Sequence, residues 1–140
     1  MTVTAEKIDR LMHDSCGSMT FFKRNNGKYM DYTEGVMALQ IQCDMFWFID
    51  LMYSHMLAVA DDHCVTEETF YVVNLNVKDS KAKFTITREY YDENTDEYSD
   101  VIVAEQDIEY TDLPNYNFKF FLELANYTPL TFRLLCPSEH

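Results

Sequence analysis

Glycine and proline are scarce, with three of each among 140 residues. That excludes a collagen-like repeat and a flexible low-complexity linker, and it argues against disorder. There is no glycine-rich phosphate loop and no Cys-x-x-Cys pair, so neither a nucleotide cradle nor a paired-cysteine zinc site is signalled. Long apolar runs are missing too. The most apolar stretch, Met45–Met52, is interrupted by Asp50 and is too short to span a bilayer. Residues 1–15 lack the apolar core of a secretory signal. Cys16, Cys43, Cys64 and Cys136 are therefore expected as reduced thiols in a cytoplasm, without a disulfide framework.

Basic residues are also few. Eleven Lys and Arg stand against 24 Asp and Glu, a net charge of −13. Phosphate backbones and anionic membranes repel such a chain, so neither direct nucleic-acid binding nor membrane binding is expected. From Glu89 to Asp112 there are ten acids and no Lys or Arg, whereas residues 1–28 carry a net +2. The charge is polarised along the chain.

What the sequence has is core material. The hydrophobic fraction is 47% and the aromatic fraction 15%, enough for one domain over 1–140. Residues 4–12 read as a short helix behind Thr4. Asn25-Asn26-Gly27 between residues 18–24 and 28–32 is a hairpin signal. Asp31-Tyr32-Thr33-Glu34 has capping-box form, which predicts a helix from there to about Ala60. Val36, Leu39, Cys43, Phe46, Trp47 and Asp50 lie on one side of it, and Ile41, Met45, Phe48 and Met52 on the other. Such a helix is expected to be buried on both sides, between a sheet and the N-terminal elements.

From Glu67 the period changes to two. Phe70–Val77, Lys83–Tyr91, Val101–Tyr110, Asn117–Leu124 and Thr131–Leu135 read as strands separated by turn residues. The expectation is an α+β fold with a helical half at about 1–65 and a β-rich half at about 66–137. One long buried helix would pack on an antiparallel meander of about four to five strands.

Residues 89–100, EYYDENTDEYSD, hold six carboxylates and three tyrosines. Pairing Phe84 with Ile108 makes this stretch the end and tip of a hairpin. Lys83 then faces Glu109, Thr85 faces Asp107 and Thr87 faces Glu105, which aligns three acids about 6.7 Å apart on the outer face. The candidate partner-binding surface comprises Glu89, Asp92, Glu93, Asp96, Glu97 and Asp100 at the tip, the strand acids Glu105, Asp107 and Glu109, and the rings of Tyr90, Tyr91 and Tyr98.

Tyr32-Thr33-Glu34-Gly35, Phe46-Trp47-Phe48-Ile49-Asp50 and the ending Leu135-Cys136-Pro137-Ser138-Glu139-His140 resemble the motifs of an uncharacterised bacterial family carried on conjugative elements, plasmids and phages. Gly17-Ser18 stands where that family has Gly-Ser/Thr, and the likeness covers about residues 17–140. Cys136 and His140 depart from the family's pattern. The resemblance implies a genomic context and no catalytic residues. Small acidic proteins of such elements often inhibit host nucleases, so it implies a non-enzymatic inhibitor of the anti-CRISPR or anti-restriction type. Its partner would be a basic nucleic-acid-binding protein or nuclease complex of the host, met by an acidic mimic of nucleic acid.

Other constellations carry less. His13-x-x-Cys16, His63-Cys64 and Cys136-x-x-x-His140 are zinc-ligand types drawn from three distant places, so no metal and no cofactor is expected. A nucleophile at Cys16 or Cys64 has no motif to supply its oxyanion hole. Asp44 with Asp50 could do acid–base work, but a buried, hydrogen-bonded Asp50 is the simpler expectation. Met37, Met45, Met52 and Met56 read as core packing. Two alternatives stay open: a ligand-binding or enzymatic pocket between long helix and sheet, and a homo-oligomer using the same tyrosines.

Overall fold

Near residue 67, where the hydropathy period changes, the last helix gives way to five consecutive strands, and two short strands from earlier in the chain join the same sheet. The computed structural model describes residues 3–13, 20–25 and 27–140; Cys16 and Gly17-Ser18 lie outside these described residues. The elements run α1 (Ala5–His13), β1 (Phe21–Phe22), β2 (Met30–Thr33), α2 (Glu34–Cys43), α3 (Phe46–Thr66), β3 (Phe70–Lys78), β4 (Lys81–Asp92), β5 (Glu97–Ile108), β6 (Tyr116–Tyr127), β7 (Leu130–Leu135) and a 3-10 turn at Pro137–Glu139.

The fold is α+β, but its sheet is larger than the expected meander. Seven strands form one sheet in the order β1-β2-β7-β6-β3-β4-β5. All neighbours pair antiparallel except β2 with β7. Only β3-β4-β5 is a meander; β6 returns to lie beside β3. Burial explains the choice. β6 sends Phe118, Phe120 and Leu122 into the core, all fully buried, and needs strands on both flanks. β5 is exposed along most of its length and suits an edge.

The long helix is also two helices. Asp44 takes a left-handed conformation at φ 53° and ends α2, its N–H bonding the Gln40 carbonyl. Aspartate tolerates that region better than most residues. Burial on both sides fails as well: Ile41 and Leu57 are exposed, while Phe48, Ile49, Met52 and Met56 are buried. The latter face the sheet. Phe48 stacks on Phe120 at 4.9 Å and meets Phe84 edge-on at 6.2 Å. Each such apolar side chain, fully buried, contributes roughly 1.5–3 kcal/mol.

The helix cap is Thr33 rather than Asp31. Thr33 Oγ1 accepts from the Val36 N–H at 3.4 Å and donates to Glu139 Oε1 at 2.6 Å. Glu139 Oε2 accepts from the Gly35 N–H at 3.2 Å. A carboxylate from the far end of the chain thus sits on the positive end of α2. Two of the quoted motifs, Tyr-Thr-Glu-Gly and Pro-Ser-Glu, meet in one structural joint. Asp31 lies in β2 and pairs with Arg133, Nε to Oδ1 at 2.9 Å. The predicted hairpin pairs Phe21 with Thr33 and Phe22 with Tyr32. Gly27, in its connection, sits where a Cβ would come within 2.6 Å of the Tyr53 ring.

Candidate functional site

The β4–β5 hairpin forms one edge of the sheet, with β1 at the other, and carries the predicted binding residues. Its register differs from the expectation by two. Phe84 faces Gln106, Lys83 faces Asp107 and Thr85 faces Glu105. A bulge at Ile86/Thr87 then shifts the pairing by one more residue toward the tip. Glu109 falls beyond the end of β5, so the expected row of three acids is a row of two. Lys83 Nζ bridges both, 3.7 Å from Glu105 and 3.3 Å from Asp107.

The structure therefore splits the acidic segment. Glu105, Asp107 and Glu109 lie near the Lys78–Lys81 turn end of the hairpin, beside lysines. The other end has no such compensation. Three rungs cross β4 and β5 on the face turned away from α3: Thr87 with Ile102, Glu89 with Asp100, and Tyr91 with Tyr98. Asp92 with Glu97 closes the ladder. The one cation on the tip half of these strands, Arg88, points to the other face. Its Nε donates to Asp62 Oδ2 on α3 at 2.8 Å.

Within the tip, two acids are structural. The Asp92 carbonyl accepts from the Asp96 N–H at 2.8 Å, and Asp92 Oδ1 accepts from the Asn94 N–H at 2.9 Å. Asp96 takes the left-handed conformation at φ 55° that turns the chain, and its carboxylate accepts from the Tyr91 hydroxyl. That bond pushes the Tyr91 pKa up. Glu89, Glu93, Glu97 and Asp100 are exposed and form no ion pair among the described residues. Tyr91 and Tyr98 stand 4.9 Å apart, ring to ring. Tyr90 is exposed on the face that carries Arg88.

Strand β3 supplies residues that the sequence reading did not assign to the site. Phe70, Val72 and the preceding Glu68 line a groove of ≈510 Å³ together with Thr87, Arg88, Glu89, Tyr91, Tyr98 and Asp100 of the hairpin. Alternation along β3 was the available signal, since Phe70 and Val72 share the parity opposite to the core residues Tyr71 and Val73.

A second cavity, ≈570 Å³, lies where α2 meets α3, lined by Cys43, Asp44, Trp47, Tyr110 and Asp112 among others. Tyr110 donates to Asp112 Oδ1 at 2.5 Å, and burial pushes the Cys43 thiol up. Asp50 is not part of it. Against expectation it is exposed, with Arg24 Nη1 at 3.5 Å. The soft-ligand candidates are scattered. Cys136 is buried against Met12, its thiol pushed up by burial and by Glu139. His140 packs on Phe121 and Phe70, Cys64 is exposed, and His63 Nδ1 bonds the Glu68 carbonyl at 2.6 Å. Among the described residues no group of three or more His, Cys, Asp or Glu could hold a metal ion, and no helix is long and apolar enough to cross a membrane.

Comparison with known proteins yields one match. No curated protein and no solved structure resembles the chain significantly. A family model described as "Family of unknown function (DUF6876)" matches residues 6–140. The chain belongs to that family of unknown function.

Proposed function

We propose that the chain is a non-enzymatic inhibitor of mobile-element origin. It blocks a host nucleic-acid-directed defence complex, of the CRISPR or restriction kind, by protein–protein contact in the host cytoplasm. The observation that carries this reading is the pair of like-charged rungs, Glu89 opposite Asp100 and Asp92 opposite Glu97. Like charges directly opposed across strands are destabilising, by roughly 0.2–1 kcal/mol a pair. Solubility needs charge on the surface, not charge paired with its own sign. Beyond Thr87, the last β4 residue paired with β3, both hairpin strands have a free edge, and protecting those edges against self-pairing calls for charge but not for charge set opposite its own sign.

The mechanism is competition. The Lys and Arg side chains with which the partner holds phosphate meet carboxylates pre-arranged on a hairpin, and nucleic acid is excluded. Complementary charge speeds the encounter, and the exposed rings of Tyr90 and Tyr98 add contact area at low entropy cost. The test is to add the purified protein to a panel of CRISPR nucleases and restriction enzymes cutting target DNA, at low and at high salt. Protection that weakens as salt rises supports the reading; cleavage of every substrate at low salt contradicts it.

The cavity at the α2–α3 junction favours a second reading, a small-ligand site between Trp47 and Asp112. Trp47 is the chain's single tryptophan, so its emission is a specific probe. Quenching by a metabolite pool, with no nuclease protection, would favour this alternative.

A further inference from the structure

The groove at the base of the acidic tip has a composition that selects its occupant. On the face turned away from α3, the acidic rung Glu89–Asp100 lies between two apolar walls. On one side stands the aromatic rung Tyr91–Tyr98. On the other are Phe70 and Val72 of β3, with Val72 registered against Thr87. The groove encloses ≈510 Å³, room for one or two long side chains of a partner. The Tyr91 ring is held by its bond to Asp96, and the Phe70 ring packs on Phe121 at 5.1 Å, so both walls are anchored. Arg88 also lines the groove, but its guanidinium is paired with Asp62 on α3, and the carboxylates of Glu68, Glu89 and Asp100 outnumber it.

Carboxylates between aromatic faces match a guanidinium better than an ammonium. Arginine is planar, stacks on aromatic rings, is weakly hydrated and meets carboxylates through two parallel hydrogen bonds. Lysine is a compact, strongly hydrated point charge. We propose that this groove is an arginine-docking site, which receives an arginine side chain from an exposed basic segment of the partner. This deepens the reading of the acidic hairpin as a partner-binding surface and rests on it.

The experiment compares fluorescent hexa-arginine and hexa-lysine peptides titrated into the full chain, read by anisotropy at fixed low salt. The expected result is several-fold tighter binding of the arginine peptide. Tyr98→Leu keeps an apolar side chain at an exposed position and removes the π face. It should weaken the arginine peptide about two- to fivefold and the lysine peptide less. Glu89→Gln with Asp100→Asn should remove the preference altogether, while Glu105→Gln with Asp107→Asn should keep it. Equal affinity for the two peptides, or an Arg preference untouched by Tyr98→Leu, would overturn the proposal. An arginine preference without protection in the nuclease panel would sink the defence-complex reading and leave the groove standing. Protection without an arginine preference would do the reverse.

Discussion

Arg88 on β4 donates to Asp62 on α3 at 2.8 Å, with both side chains largely buried, 14% and 18% exposed. The same Asp62 oxygen accepts from the Tyr71 hydroxyl at 2.9 Å. This joint ties the hairpin to the helix, and it also engages the one cation on the tip half of β4 and β5. Stability and surface charge are set by one bond.

Arg88→Ala should therefore destabilise the protein. The lost interaction is a charge-assisted hydrogen bond that leaves Asp62 short of a partner, worth about 1.5–3 kcal/mol. Urea unfolding would measure it. A loss well below 0.5 kcal/mol would mean that the pair is a surface contact of little worth.

Glu89→Gln combined with Asp100→Asn should act in the opposite direction. Removing a like-charge rung at low ionic strength should raise unfolding stability by about 0.2–1 kcal/mol. The gain should shrink toward zero near 1 M salt, where the screening length is about 3 Å. A double variant less stable than the parent at low salt would show that the carboxylates hold the hairpin together.

Glu139→Ala should cost about 1–3 kcal/mol, because Thr33 Oγ1, the Gly35 N–H and the Cys136 N–H all lose their acceptor. The helical signal in circular dichroism should melt earlier than in the parent, since α2 loses its N-terminal carboxylate. A Glu139→Gln variant keeps one amide oxygen and should fall between the two.

Alkaline pH should unfold the protein through its tyrosines. Burial, and then the bond to Asp9, push Tyr116 up to about 12 from an ordinary value of 10.0. Burial and Asp62 push Tyr71 up as well. A folded-state pKa above the unfolded one stabilises fully below the unfolded value, and that contribution is lost as pH rises through the folded one. Stability should hold until about pH 10 and fall between 10 and 12. Tyr116→Phe should flatten part of that slope, as followed by denaturation at stepped pH.

The strands of the second half were legible because their side chains alternate: β3 buries every second residue, β4 does so as far as Ile86 and β6 from Phe118 to Leu122, and period-two hydropathy reads that directly. The strand order was not legible. Nothing local tells β6 that β3, rather than β5, can bury Phe118 and Phe120 on both flanks. The register differs because Ala82, a weak apolar signal, and not Phe84 pairs with Ile108, and the bulge at Ile86/Thr87, a backbone event with no sequence mark, adds one more residue toward the tip. The break at Asp44 hides inside a hydrophobic pattern that continues across it. In the candidate site, the tip acids and tyrosines could be named from EYYDENTDEYSD alone. Phe70 and Val72 could not be joined to them, since only the sheet brings residues 30 positions apart side by side. Lys83, read as an outer-face neighbour of the acids, proves to be their clamp.

The most direct test sets two variants beside the parent in the nuclease protection assay at low salt. One neutralises the tip through Glu89→Gln, Glu93→Gln, Glu97→Gln and Asp100→Asn. The other neutralises the lysine-compensated strand positions through Glu105→Gln and Asp107→Asn. The account predicts that the first loses protection while the second retains it. Protection by the tip variant equal to that of the parent would contradict it and move the working surface away from the hairpin.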